Sequence, residues 1–266
     1  MPPLVSIRAT LKYGDRAVLC DVTLEVARGE IVGIVGQSGC GKSSLALALL
    51  GLLHMKGGRI DGTITFSGEQ LTKFSESDYR KLRGSKMALV LQSPMTALNP
   101  ALRIGTQLRE AWSLHASGSR AARDAAIREA LANVSLPSDD EFLRRFPAQL
   151  SVGQAQRVLI GMAILHKPSL LIADEATSAL DAITAAEILK LFADLNQKLG
   201  MSILFISHDL PSVASLCHRV AMLHNGEVVE LAPPAELFAH PQHPYTKQLV
   251  AALPRVPGAA NGASAR

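Results

Sequence analysis

The chain has 266 residues, 48% of them hydrophobic and 19% charged, with a formal net charge of +4. That balance supplies a core for one large domain or two small ones and excludes a disordered chain. The apolar runs from Leu45 to Leu53 and from Val158 to Leu165 fall well short of the roughly 20 residues that a membrane-spanning helix needs, so the chain is not expected to cross a bilayer. Its start, "MPPLVSIRAT", has no basic stretch leading into an apolar run, so no secretory signal is expected and the cytoplasm is the compartment. Cys20, Cys40 and Cys217 are widely spaced, with no C-x-x-C pair, which suits reduced thiols and argues against a zinc site. The positive charge is spread along the chain rather than gathered in a block, so a nucleic-acid surface is not expected.

In chain order, the first ninety or so residues read as short β runs, "LVSIR", "VTLEV", "IVGIV", "RIDGTITF" and "MALVL", separated by turns at Gly14, Arg28-Gly29 and Ser67-Gly68. One long apolar segment there reads as a helix, starting at Lys42. From about Gln107 to Leu165 the sequence turns Ala-rich and helical, and Ser138 with Glu141 has the spacing of a capping box. β character returns with "LLIAD", "SILFIS" and "RVAMLHNGEVVEL", with the helix "AITAAEILKLFADLNQKLG" between the first two. This alternation predicts an α/β fold. Asn225-Gly226 predicts a hairpin turn, and the tail from residue 255 to 266, small and aperiodic, is expected to be disordered.

Gly36 to Ser43 reads GQSGCGKS, which fits G-x-x-x-x-G-K-[ST] between a buried-strand pattern and a helix. Glycines let such a loop curl so that its N–H groups face phosphate oxygens, and the helix N-terminus adds positive potential. Lys42 then reaches the β and γ phosphates and the Ser43 hydroxyl binds Mg²⁺. Cys40 reads either as a reactive thiol, lowered by the helix end, or as a small residue between glycines. Asp174-Glu175 closes the apolar strand "LLIAD". Asp174 suits the Mg²⁺ shell, and Glu175 the orientation of water for in-line attack on the γ phosphate. His240 and His243 form an H-x-x-H pair without a carboxylate or cysteine partner, a weak case for metal binding.

Over nearly its whole length the chain resembles the ATP-binding subunits of ABC transporters. "LSVGQ" at Leu150 to Gln154 resembles the family signature, Gln92 the Q-loop, "SALD" at Ser178 to Asp181 the D-loop, His208 in "FISHD" the switch histidine and Tyr13 the adenine-stacking aromatic. The resemblance implies a P-loop NTPase core of RecA type with an antiparallel β subdomain and an inserted helical subdomain. The core would take residues 1–92 and 166–254 and the helical part 93–165. It implies that Gly36, Gln37, Ser38, Gly39, Cys40, Gly41, Lys42, Ser43 and Ser44 hold ATP with Tyr13. Gln92 and His208 join Glu175 in catalysis, and Gln92 joins Ser43 and Asp174 on Mg²⁺. Ser151, Gly153, Gln154 and Asp181 would cap the nucleotide of a second subunit.

Two positions depart from the family pattern: Val152 stands where glycine is usual, and Ala176 where proline is. A β-branched residue at 152 narrows the approach to the partner's nucleotide, so an active but slower ATPase is expected. "QSPMTALNP" and "HPYTKQLVAALP" resemble more narrowly the peptide and nickel importer branch. The implied partners are two transmembrane permeases, a second cassette, identical or paralogous, and an extracytoplasmic solute-binding protein, with the chain on the cytoplasmic face of the membrane. The alternative is an ABC-type ATPase of DNA repair or translation, against which stands the lack of a coiled-coil insertion or a second cassette. A P-loop kinase or GTPase is the third reading, against which stands the lack of an N-K-x-D segment.

Overall fold

The computed structural model describes residues 2–253; the tail from 255 to 266 lies outside them. The strands β1 (Val5–Tyr13) and β2 (Arg16–Val26) open the fold, followed by β3 (Ile31–Gly36), α1 (Lys42–Leu49), β4 (Gly58–Phe66) and β5 (Glu69–Gln70). Next come α2 (Glu76–Leu82) and β6 (Met87–Val90), and then five helices in a row: α3 (Pro94–Ala97), α4 (Ile104–Ser113), α5 (Arg120–Asn133), α6 (Asp140–Arg144) and α7 (Val152–Ile164). The chain returns to alternation with β7 (Leu170–Asp174), α8 (Ala182–Leu199), β8 (Ser202–Ser207), α9 (Leu210–Leu216), β9 (Arg219–His224), β10 (Glu227–Ala232), α10 (Pro234–Ala239) and α11 (Pro244–Ala251).

Two sheets carry the architecture. One is antiparallel, in the order β2-β1-β4-β5; the other runs β10-β9-β3-β8-β7-β6 and is parallel except for the β9–β10 hairpin. The central strands are apolar at nearly every position because both faces are covered. Alternate side chains go to different cores. Leu171, Ala173, Ile203 and Phe205 pack with the helices α4, α5, α7 and α8, whereas Leu170, Ile172, Leu204 and Ile206 pack with α1 and the antiparallel sheet. The consequence for function is that α1 and α8 flank opposite faces of one sheet. The C-terminal ends of β3, β7 and β8 meet between them, where open α/β sheets place their ligands.

Local chemistry explains the element ends, and in three places it differs from the sequence expectation. The hairpin at Asn225-Gly226 forms, with φ of 50° and 84° at the two turn residues, the pair of positive values that a two-residue turn of this type demands. The capping box at Ser138 and Glu141 does not form. Asp139 is the N-cap of α6 and accepts the Phe142 N–H at 2.8 Å, because burying Phe142 sets the helix one residue later than the expected frame. Glu141 instead pairs with Arg145. Helix α2, unanticipated among the early β runs, is opened by Ser75, whose hydroxyl accepts from Asp78 N–H in a capping box. Helix α4 begins at Ile104, ahead of the expected Gln107.

Candidate functional site

β3 delivers the chain into the phosphate loop, and α1 begins at once behind it. Gly41 is the N-cap of α1 at φ 101°, a left-handed conformation open to glycine. A side chain there would also run into Leu19 and the Val18 carbonyl, at 2.6 and 2.9 Å. The first amides of α1 have no intrahelical carbonyl within reach and point into the loop. Lys42 folds back over them: its Nζ donates to the carbonyl oxygens of Gly36 at 2.6 Å and Gln37 at 3.0 Å. The result is a ring of N–H groups with a buried ammonium at its centre.

This ring forms one wall of a cavity of about 370 Å³. Ser38, Gly39, Gly41, Lys42, Ser43 and Ser44 come from the loop and α1. Val18 of β2, for which the sequence offered no motif, closes one side. Gln92, Glu175 and His208 close the other, from the ends of β6, β7 and β8. Tyr13 stands next to the cavity rather than in its lining, its hydroxyl 3.2 Å from Ser44 Oγ. Gln37 and Cys40 face a second cavity of about 320 Å³ behind the loop, together with Arg16 and His224.

The two carboxylates at the end of β7 differ in environment. Asp174 is half-buried; burial pushes its carboxyl above the ordinary range and the neighbouring Glu175 charge adds to this, while Ser43 and Lys42 pull the other way. One of its oxygens, Oδ1, is buried with no hydrogen-bond partner. An orphaned carboxylate oxygen beside the Ser43 hydroxyl is a donor set that fits a hard divalent cation such as Mg²⁺. Glu175 turns off the strand at φ 53°. Its Oε2 lies 2.7 Å from His208 Nδ1, a contact that aims the carboxylate over the loop.

Cys40 does not behave as an activated thiol. Burial raises its pKa despite Lys42 nearby, so the small-residue reading stands. His243 Nδ1 accepts the Tyr245 N–H at the start of α11, and the described residues contain no group of three or more metal-ligating side chains.

The signature residues lie outside the cavity. Ser151 caps α7 and forms a reciprocal box with Gln154, the serine Oγ accepting from Gln154 N–H and Gln154 Oε1 from Ser151 N–H. Val152 follows, 44% exposed. Gly153 has a packing reason to be glycine: a Cβ would sit 2.8 Å from Thr184 Cγ2 of α8. Thr184 donates its hydroxyl to Asp181, and Asp181 also accepts from the amides of Ile183 and Thr184. The signature thus packs closely on the start of α8 at Gly153, while Asp181 caps α8 itself.

The sequence profile described as ABC transporter matches residues 19–178. The chain belongs to the ABC transporter family. This ABC cassette is 41% identical over 251 residues to the dipeptide transport ATP-binding protein DppD of Escherichia coli, covering 93% of the chain and 77% of DppD. Its fold matches cbiO1 of Clostridium perfringens, part of the cbiONQ transporter complex, with a TM-score of 0.80 at 26% identity, over 90% of this chain and 92% of that one. It also matches the cassette MJ0796, solved as a dimer in a post-hydrolysis state with ADP and phosphate, with a TM-score of 0.69 at 26% identity, over 85% and 98% of the two chains. In this ABC cassette the phosphate-loop cavity lies at the C-terminal ends of the parallel strands. No helix among the described residues is long and apolar enough to cross a membrane.

Proposed function

We propose that this cassette hydrolyses ATP to drive the import of peptides through membrane-spanning permeases that it contacts from the cytoplasmic face. The observation that carries the hydrolytic half is the Glu175–His208 pair at the mouth of the phosphate-loop cavity. Loop amides and Lys42 neutralise phosphate charge, which develops further in the transition state. Ser43, Asp174 and Gln92 would hold Mg²⁺, which would offset the negative charge of the phosphate oxygens. Glu175 accepts a proton from water as the water oxygen bonds to the γ phosphorus and the bond to the bridging oxygen breaks. His208 keeps Glu175 pointed at that water.

Support for peptide as the solute comes from DppD, named for dipeptide transport and 41% identical to this chain. Support for a second cassette comes from the signature, whose Ser151, Gly153 and Gln154 lie outside the phosphate-loop cavity of their own chain, and from the likeness to MJ0796, solved as a dimer. Leu91 and Met95, exposed on either side of Gln92, suit an apolar contact with a permease, through which the state of the nucleotide would be passed on. An extracytoplasmic binding protein would deliver the peptide. A role in DNA repair or translation has no observation in its favour.

Glu175→Gln tests the reading, since it keeps shape while removing the proton acceptor. ATP turnover of the purified variant should fall by about 10²- to 10⁴-fold, the usual cost of a lost general base, with Mg-ATP still bound. Cells whose native copy is replaced by this variant should also lose uptake of a labelled dipeptide. Turnover at the wild-type rate would remove Glu175 from the mechanism, and undiminished uptake would remove peptide import.

A further inference from the structure

The late segment "HPYT", which the hydrolytic mechanism does not use, lies beneath the phosphate loop. Glu230 of β10 accepts the N–H groups of Gln242 and His243 at 2.9 and 3.1 Å, tying the approach to α11 onto the β9–β10 hairpin. His243 caps α11. Tyr245 is thereby directed inward, where it is 5% exposed and stacks on His224 with ring centroids 4.1 Å apart and planes 21° from parallel. His224 in turn lines the cavity behind the loop with Gln37 and Cys40.

The hydroxyl of Tyr245 is buried and has no hydrogen-bond partner. Through the His224 ring on which it stacks, Tyr245 neighbours the cavity lined by Gln37 and Cys40 of the phosphate loop. A buried hydroxyl left unpaired destabilises the folded chain, and phenylalanine would give the same stack without that penalty. Gln37 is a sensitive point in the loop, because its carbonyl accepts both Lys42 Nζ at 3.0 Å and Cys40 N–H at 3.3 Å. Whatever fixes the Gln37 amide therefore also fixes the turn that carries the lysine.

We propose that Tyr245 is a positioning residue for the phosphate loop, its hydroxyl accepting the Gln37 N–H when the loop closes around the phosphates, so that α11 holds the loop in its binding shape. The inference rests on the reading of this loop as the ATP site. It makes the last described helix part of the nucleotide site without touching the nucleotide.

Tyr245→Phe retains the ring and its stack on His224 and removes one oxygen. Mg-ATP titration of the purified chain is paired with thermal melting in the absence of nucleotide. Affinity for Mg-ATP should fall about three- to tenfold, the range that one net hydrogen bond spans. The nucleotide-free melting temperature should stay level or rise. A purely structural tyrosine would instead lower the melting temperature and leave affinity alone, and that result overturns the inference, as does wild-type affinity in the variant. If the wild-type chain itself fails to bind Mg-ATP, the reading of the loop falls first and the inference with it.

Discussion

Glu175 holds its backbone at φ 53°, a left-handed conformation that costs a non-glycine residue about 1–3 kcal/mol. Its amide is not sacrificed, since it donates to the Ile206 carbonyl at 2.9 Å. The strain turns the carboxylate back over the loop instead of continuing along β7, and His208 meets it there. The charge of Lys42 is buried against two carbonyls. Lys42→Ala removes the only ammonium among the residues lining the phosphate cavity, so ATP turnover should fall to background in a phosphate-release assay. Turnover within a few-fold of wild type would show that the loop amides alone neutralise the phosphates. The placement of Lys42, Ser43, Asp174 and Glu175 about the loop was readable in advance, because each sits in a short motif whose spacing has a mechanism. Val18 was not readable as a lining residue, being a strand valine among many, nor was the stack of Tyr245 on His224, which joins distant stretches of the chain through a fold that spacing does not encode.

Elements set those residues in place, and α2 shows how much a short one contributes. Arg83, just past its end, donates to the carbonyls of Leu50 and Gly51 at the end of α1 and to both oxygens of Glu76. Its guanidinium also sits 5.2 Å from the Tyr79 ring centroid. The Arg83 hydrogen bonds hold the Glu76 carboxyl down at about 2, from an ordinary 4.5. A carboxyl lowered on folding adds stability that is complete above pH 4.5 and is lost as the pH falls through 2. Glu76→Gln should therefore melt below wild type at neutral pH, with the gap closing between pH 4.5 and 2. The gap should be modest and shrink in salt, because the Glu76 side of the pair is exposed. An equal gap at every pH would mean that Glu76 acts through packing alone. Helix α2 escaped the sequence reading because it is seven residues long with one buried side chain, Tyr79, too little for a helical period to show. The strands β3, β7 and β8 were legible for the converse reason: covered on both faces, they need continuous apolar runs, and few other elements do.

At the scale of the whole molecule, the site is complete on one side and open on the other. The signature lies outside the cavity of its own chain, and beside it Val152 and Ile183 are 44% and 77% exposed. Gly153 packs against Thr184, so the signature and the start of α8 would meet a second cassette side by side. A dimer held by two nucleotides should be stable only while the γ phosphate survives. Glu175→Gln blocks hydrolysis but leaves Asp174, Ser43 and Lys42 in place, so on size exclusion it should run as a dimer in Mg-ATP and as a monomer in Mg-ADP. Asp174→Asn removes the charge at the orphaned oxygen that fits a divalent cation, so it should stay monomeric in both. Dimers of Asp174→Asn in Mg-ATP would show that the cation is not needed to close the interface. Should Glu175→Gln remain monomeric while binding Mg-ATP, the facing cassette is a different chain, and mixing with that partner rather than with itself would restore the closed pair.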